Sequence, residues 1–403
     1  MATPTHHVLL IPGFFGFGKF GELSYFSGVR EAIEASFERL GLSVTVTEVP
    51  TLPMSSIRFR AARVLETLAA VASQGEGPIH LIGHSTGGLD ARLAIAPTAS
   101  LPSDVVFDAY DRVQTLVTVC APHYGTPVAT YFTRPMGRFL IRTVGRYLIF
   151  MLERGRVPLK LMLRIGYLVV RARDPFRKRP GAFDDLYEKL LSDLSEPRIL
   201  ELATFLKAVV KDQSLLFQLT PAGCDLLNAC TADPKIAYAS VVARAAPPSF
   251  RNAWRSLRDL YAQIMFPVYA FMHRAARRDE LGNPPLSAAQ LAQLGQSNSS
   301  LPVRSDSDGV VPTLSQVWGQ VLYFAQADHL DVVGQYGLST QAARTGDWIP
   351  SFSAFGREQF LELWSRVAQF IAGVNTNGDS RHTPEITTTN TELAQGSCSP
   401  SGL

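Results

Sequence analysis

The stretch HLIGHSTGGLDAR, residues 80–92, sets the tightest limit on what this chain can fold into. A short apolar run meets three glycines, Gly83, Gly87 and Gly88, gathered around one serine, Ser85, and continues into a segment of helical composition. A strand can pass straight into a helix only through a sharp turn, and glycine makes the close approach possible because it has no Cβ. G-x-S-x-G between a strand and a helix lifts the serine hydroxyl above the sheet and aims the helix N-terminus, with its free N–H groups, at the same space. A glycine-rich turn with an incidental serine is the alternative, and the remaining segments must decide between them.

Those segments alternate. Residues 7–11 form an apolar run ended by Pro12-Gly13, and Val29, Ile33, Phe37 and Leu40 fall at helical spacing before Gly41. LSVTVTEVP reads as a strand, residues 57–71 as a helix, and VQTLVTVCAP as another strand. Strands alternating with helices predict an α/β fold: a mostly parallel central sheet covered by helices on both faces. The alternation breaks at about residue 131. From there to about residue 218 the spacing is helical and the charge basic, with Arg134, Arg138, Arg142 and Arg146 four residues apart around Phe139, Leu140, Ile141 and Val144. KIAYASVVA resumes the sheet pattern, a second helical insert covers about 250–278, and a polar stretch, SAAQLAQLGQSNSS, precedes the last core pieces and a helix over 356–371. The expected organisation is a core in two parts, 1–130 and 219–372, separated by a basic helical insert at 131–218 and followed by a disordered Thr-, Ser-, Asn- and Gly-rich tail at 373–403.

Apolar residues make up 46% and charged ones 18% of the 403, which supports a sizeable core and excludes global disorder. A net charge of +3 is too mild for a nucleic-acid binder, and no nucleic-acid motif accompanies the arginines. No apolar run reaches the length of a membrane-spanning helix. The opening segment has neither a basic start nor a small-residue cleavage site, which leaves a cytoplasmic chain, the working expectation, or a numbering that begins after processing. Cys120, Cys224, Cys230 and Cys398 form no zinc pattern. Cys120 reads as a buried thiol. Cys224 and Cys230 would close a small loop only in an oxidising compartment.

A serine hydroxyl is a weak nucleophile until a base takes its proton. In a strand–turn–helix setting the partners follow in the order Ser, Asp, His. SDSDGVVP offers Asp308, with Asp306 as a rival, and ADHLD offers His329, the sole histidine between Asp308 and the tail. Two backbone N–H groups should face the oxyanion: that of Thr86, after the serine, and that of Phe14, in the aromatic loop IPGFFGFG after the first strand.

With these motifs in view, the chain resembles bacterial triacylglycerol lipases of the true-lipase group, within the α/β-hydrolase superfamily. The resemblance rests on LLIPGFFGF, TVTEVP, HLIGHSTGGLDAR, TVCAPHYGTP, LTPAG, DGVVP and DHLDVVGQY, which span roughly residues 8–127 and 219–335. It implies a triad of Ser85, Asp308 and His329, carboxylic esters (above all lipid esters) as substrates, and no required cofactor. Pro12-Gly13 stands where the family usually has His-Gly. The family often holds a structural calcium. The resemblance would make Asp331 a ligand and Gln335 a carbonyl donor, although no acidic residue lies between Leu281 and Val303 to supply a second carboxylate. Asp331 would otherwise serve to order the histidine loop. The basic insert falls where the family carries its cap or lid. It reads either as a lipid-facing amphipathic surface or as a helical subdomain with a solvated basic face. A phospholipase, a thioesterase, a polyester depolymerase and a non-catalytic membrane-binding module on the same fold are the rival functions.

Overall fold

The computed structural model describes residues 4–14, 19–20, 23–52, 54–135, 137–139, 212–230, 232–256, 260–277, 284–296, 300–336, 349 and 351–373. The basic insert beyond residue 139, the tail after residue 373, and Phe15 and Phe17 lie outside the described residues, and so do the expectations placed on them.

Six strands, β1 (His6–Ile11), β2 (Val44–Glu48), β3 (Ile79–His84), β4 (Val113–Val119), β5 (Ala237–Ala243) and β6 (Gln320–Ala325), form one sheet in the order β2-β1-β3-β4-β5-β6. Every neighbouring pair is parallel. Strands buried on both faces need continuous apolar runs, and β3 is buried along all six of its residues. Within β1 the period of two sends Val8 and Leu10 into one core and Leu9 and Ile11 into the other. The first core is closed by α1 (Val29–Arg39) and the last described helix, α10 (Arg357–Ile371). The second is closed by α2 (Ile57–Ala72) and α3 (Thr86–Ala94). β4 pairs directly with β5, so the two stretches of chain on either side of the basic insert share one sheet.

Between these elements lie α4 (Pro127–Thr133), α5 (Ser214–Gln218), α6 (Pro221–Asn228), α7 (Phe250–Ser256), α8 (Leu260–Ala276) and α9 (Ala288–Gln296). α4 and α6 each begin with a threonine N-cap followed by proline, Thr126-Pro127 and Thr220-Pro221, and each threonine accepts a backbone N–H of the first turn. The polar stretch before residue 300 holds a helix. α9 buries Leu294, and its glutamines bond the approach to β6: Gln290 Nε2 donates to Gly319 O and Val321 N donates to Gln293 Oε1. Cys224 and Cys230 are free thiols, so the loop closure considered for them is not made. Cys224 is buried, with Sγ 3.3 Å from Pro122 O and from Gln218 O. Among the described residues no helix is long and apolar enough to cross a membrane.

Candidate active site

Ser85 sits between β3 and α3 with φ 54° and ψ −128°, a backbone state that side-chain-bearing residues rarely occupy. Ser85 N donates to Val119 O on the neighbouring strand at 2.8 Å, which pins the turn to the sheet. A Cβ on Gly87 would lie 2.3 Å from Ile11 O, so only glycine lets α3 start this close to β1. The loop after β1 runs directly beside the serine: a Cβ on Gly13 would lie 2.8 Å from Ser85 Cβ.

The other two expected residues converge on this turn. His329, after β6, places Nε2 2.9 Å from Ser85 Oγ and Nδ1 2.6 Å from Asp308 Oδ2. Asp308, after β5, is completely buried. Its Oδ1 accepts Val310 N–H and Val311 N–H at 2.9 and 2.7 Å, and its Oδ2 also accepts from Gln316 Nε2 at 3.1 Å. Donors surround the carboxylate, so its remaining acceptor capacity faces the ring. The His329 Nδ1–H then points at Asp308, and the Nε2 lone pair faces the serine hydroxyl. Asp306 is turned elsewhere, paired with Arg244 at 3.1 Å and accepting Val303 N–H at 3.0 Å.

A strained strand–serine–helix turn now stands at the carboxyl end of a parallel sheet, with an acid and a histidine following in chain order after later strands. The chain has the α/β-hydrolase fold. It resembles bacterial lipases in its motifs. No family model matches the chain. A triacylglycerol lipase from Pseudomonas fragi is 29% identical over 125 residues, covering 30% of this chain; the match spans only 36% of that relative's length. Solved structures to which the chain is similar include two lipases. One is the Staphylococcus hyicus lipase, at 15% identity and a TM-score of 0.49, covering 93% of this chain and 98% of that one. The other is lipase 1 from Pelosinus fermentans, at 17% identity and a TM-score of 0.47, covering 91% and 99%.

Thr86 opens α3, so its N–H belongs to the free first turn beside Ser85. Phe14 follows Gly13 and packs against the second core. The Pro12-Gly13 departure is braced by a residue that sequence reasoning missed. Arg60 on α2 is fully buried; its Nη2 donates to Pro12 O at 3.0 Å, to Gly13 O at 2.9 Å and to Thr86 Oγ1 at 3.2 Å. Arg60 also donates to Leu52 O and pairs with buried Asp90 of α3 at 2.7 Å. Burial pushes the Asp90 carboxyl up to about 6, with the Arg60 guanidinium pulling the other way. The signal was present: Arg60 lies on the apolar stripe of its helix, with Ile57 and Val64, where a cation needs a partner. Tyr25 and His84 were missed as well. Both are buried against the oxyanion loop and His329.

Asp331 is bonded within the loop that carries His329. Its Oδ2 accepts Asp328 N–H at 2.9 Å and Ser353 Oγ–H at 2.7 Å. The neighbouring Asp328 accepts Leu330 N–H, Asp331 N–H and Ser351 Oγ–H. Gln335 donates its amide to Tyr25 O at 3.4 Å. Calcium needs several oxygens with lone pairs to spare. Donors occupy Asp331 Oδ2, and among the described residues no trio of carboxylates gathers around Asp331. Asp331 and Asp328 brace the loop that carries His329.

Proposed function

We propose that this chain hydrolyses carboxylic esters through an acyl-enzyme on Ser85, with triacylglycerols as its substrate class. The carrying observation is the relay of 2.9 and 2.6 Å from Ser85 through His329 to Asp308, set on a strained turn. His329 Nε2 takes the hydroxyl proton as Ser85 Oγ attacks the ester carbonyl, and Asp308 stabilises the imidazolium that forms. The N–H groups of Thr86 and Phe14 hold the oxyanion. The imidazolium returns its proton to the departing alkoxide. Water, deprotonated by the same nitrogen, attacks the acyl carbonyl; the bond to Ser85 Oγ breaks, the imidazolium returns the proton to that oxygen, and the acid leaves. Apart from water, every group these steps use is a side chain or a backbone N–H of this chain. The lipid preference draws support from the bacterial-lipase resemblance and from the basic stretch after α4, whose arginines and interleaved apolar residues suit contact with a lipid surface.

Hydrolysis of p-nitrophenyl butyrate and of emulsified long-chain triglyceride, by the purified chain and its Ser85→Ala variant, tests the proposal. Wild type should turn over both, and Ser85→Ala should lower kcat by about ten-thousand-fold or more. Turnover of the short ester alone would remove the triglyceride assignment. Near-wild-type turnover by Ser85→Ala would remove the mechanism, and silence of the wild type on both substrates would move the reading to a thioesterase or a binding module.

A further inference from the structure

Tyr25 is buried beneath the loop after β1, and its hydroxyl makes two bonds. It lies 2.9 Å from Gly13 N and 2.7 Å from His84 Nδ1. The other nitrogen of the same imidazole, His84 Nε2, lies 2.8 Å from the carbonyl oxygen of His329. These contacts fix every proton. A carbonyl can only accept, so His84 Nε2 carries the hydrogen. Nδ1 is then bare and accepts from the Tyr25 O–H. The Tyr25 oxygen in turn accepts the Gly13 N–H. Both side chains are neutral in this arrangement, and burial favours that. It pushes the Tyr25 hydroxyl well above the ordinary phenol range and the His84 imidazole well below the ordinary histidine range, the latter helped by His329 alongside.

The run of bonds begins at the loop that offers Phe14 N–H and ends at the backbone of the histidine that takes the serine proton. These two parts of the site hang on β1 and β6, with β3, β4 and β5 between them, so no strand pairing ties one to the other. We infer that Tyr25 and His84 are positioning residues, a hydrogen-bonded bridge under Ser85 that holds the oxyanion loop and His329 at one fixed separation. The inference rests on the ester-hydrolase reading. The reacting carbonyl must meet an N–H on one side and a proton acceptor on the other, and small errors in that spacing cost rate rather than binding.

The test uses the full chain as wild type, Tyr25→Phe, His84→Gln and the double variant. For each, kcat and KM on p-nitrophenyl butyrate are counted per serine titrated to completion with a phosphonate. Tyr25→Phe keeps the ring and removes only the bridging oxygen. Its kcat should fall about 10- to 100-fold with KM within about twofold. The double variant should be no worse than the poorer single one, because either change breaks the same bridge. Nitrogen NMR on the wild type supplies a readout independent of turnover. His84 should be the neutral Nε2–H tautomer, with its Nδ1 resonance shifting in Tyr25→Phe. Full kcat per titrated serine in Tyr25→Phe, additive losses in the double variant, or an Nδ1–H tautomer at His84 would each overturn the bridge while the hydrolase stands. A wild type that neither cleaves ester nor takes up phosphonate removes the hydrolase reading, and the positioning role with it.

Discussion

At the scale of single residues, the ion pair of Arg60 and Asp90 carries two duties that can be separated. It neutralises a charge inside the core, and it ties two loop carbonyls beside Ser85. Removing one member of a buried pair leaves the other uncompensated. Arg60→Met is therefore expected to cost about 3–5 kcal/mol, read as a fall in the urea midpoint. Arg60→Met/Asp90→Leu should recover much of that stability, since an apolar pair of similar volume is tolerated in such places. It should not recover kcat, because Pro12 O and Gly13 O still lack their donor. Full activity in the stable double variant would show that the brace has no part in shaping the loop.

At the scale of elements, the junction of β3 and α3 has little room to adjust. The helix start presses against the end of β1 so closely that Gly87→Ala forces backbone against backbone, with no flexible side chain to yield. We expect a loss of about 3 kcal/mol or more in urea unfolding for this one methyl group. An unchanged midpoint would mean that α3 can slide outward. Elsewhere the period of the apolar residues made the elements legible: Val29, Ile33 and Phe37 are all buried on α1, and β1 divides its side chains between two cores. α9 was not legible as an element. Its sequence is alanine- and glutamine-rich, and what holds it is amide bonding to the approach to β6, which no local pattern announces.

At the scale of the whole molecule, burial of uncharged imidazoles makes the fold acid-sensitive. Burial pushes His80 down to about 3 and holds His84 and His123 well below the ordinary value. The unfolded chain takes up these protons near pH 6.5 while the folded chain does not. The contribution is thus whole above pH 6.5 and is lost as pH falls toward 3, at about 1.4 kcal/mol per pH unit for each histidine. Asp90 and Asp328, both pushed up to about 6 by burial, act in the opposite sense between about pH 6 and 4 and blunt the loss. Urea midpoints should therefore fall gently from pH 6.5 to 4 and more steeply below. A midpoint constant from pH 7 to 3.5 would show that these imidazoles are not buried as neutral groups.

Taken by itself, the sequence determined the parallel sheet, the strand–serine–helix turn and the order of Ser85, Asp308 and His329. Each of these is imposed locally, by the period of apolar residues, by the steric demand for glycine at one corner, and by the few side chains able to relay a proton. Asp308 was already the acid that the motifs implied; the tertiary structure shows it meeting His329 while Asp306, two residues away, pairs with Arg244. The tertiary structure alone decided that Cys224 stays a thiol and that Asp331 Oδ2 accepts from Asp328 N–H and Ser353 Oγ–H. Arg60, Tyr25 and His84 belong to the same class. A buried polar group is satisfied by whichever distant segment packs against it, and that is a property of how the strands assemble, not of the residues on either side.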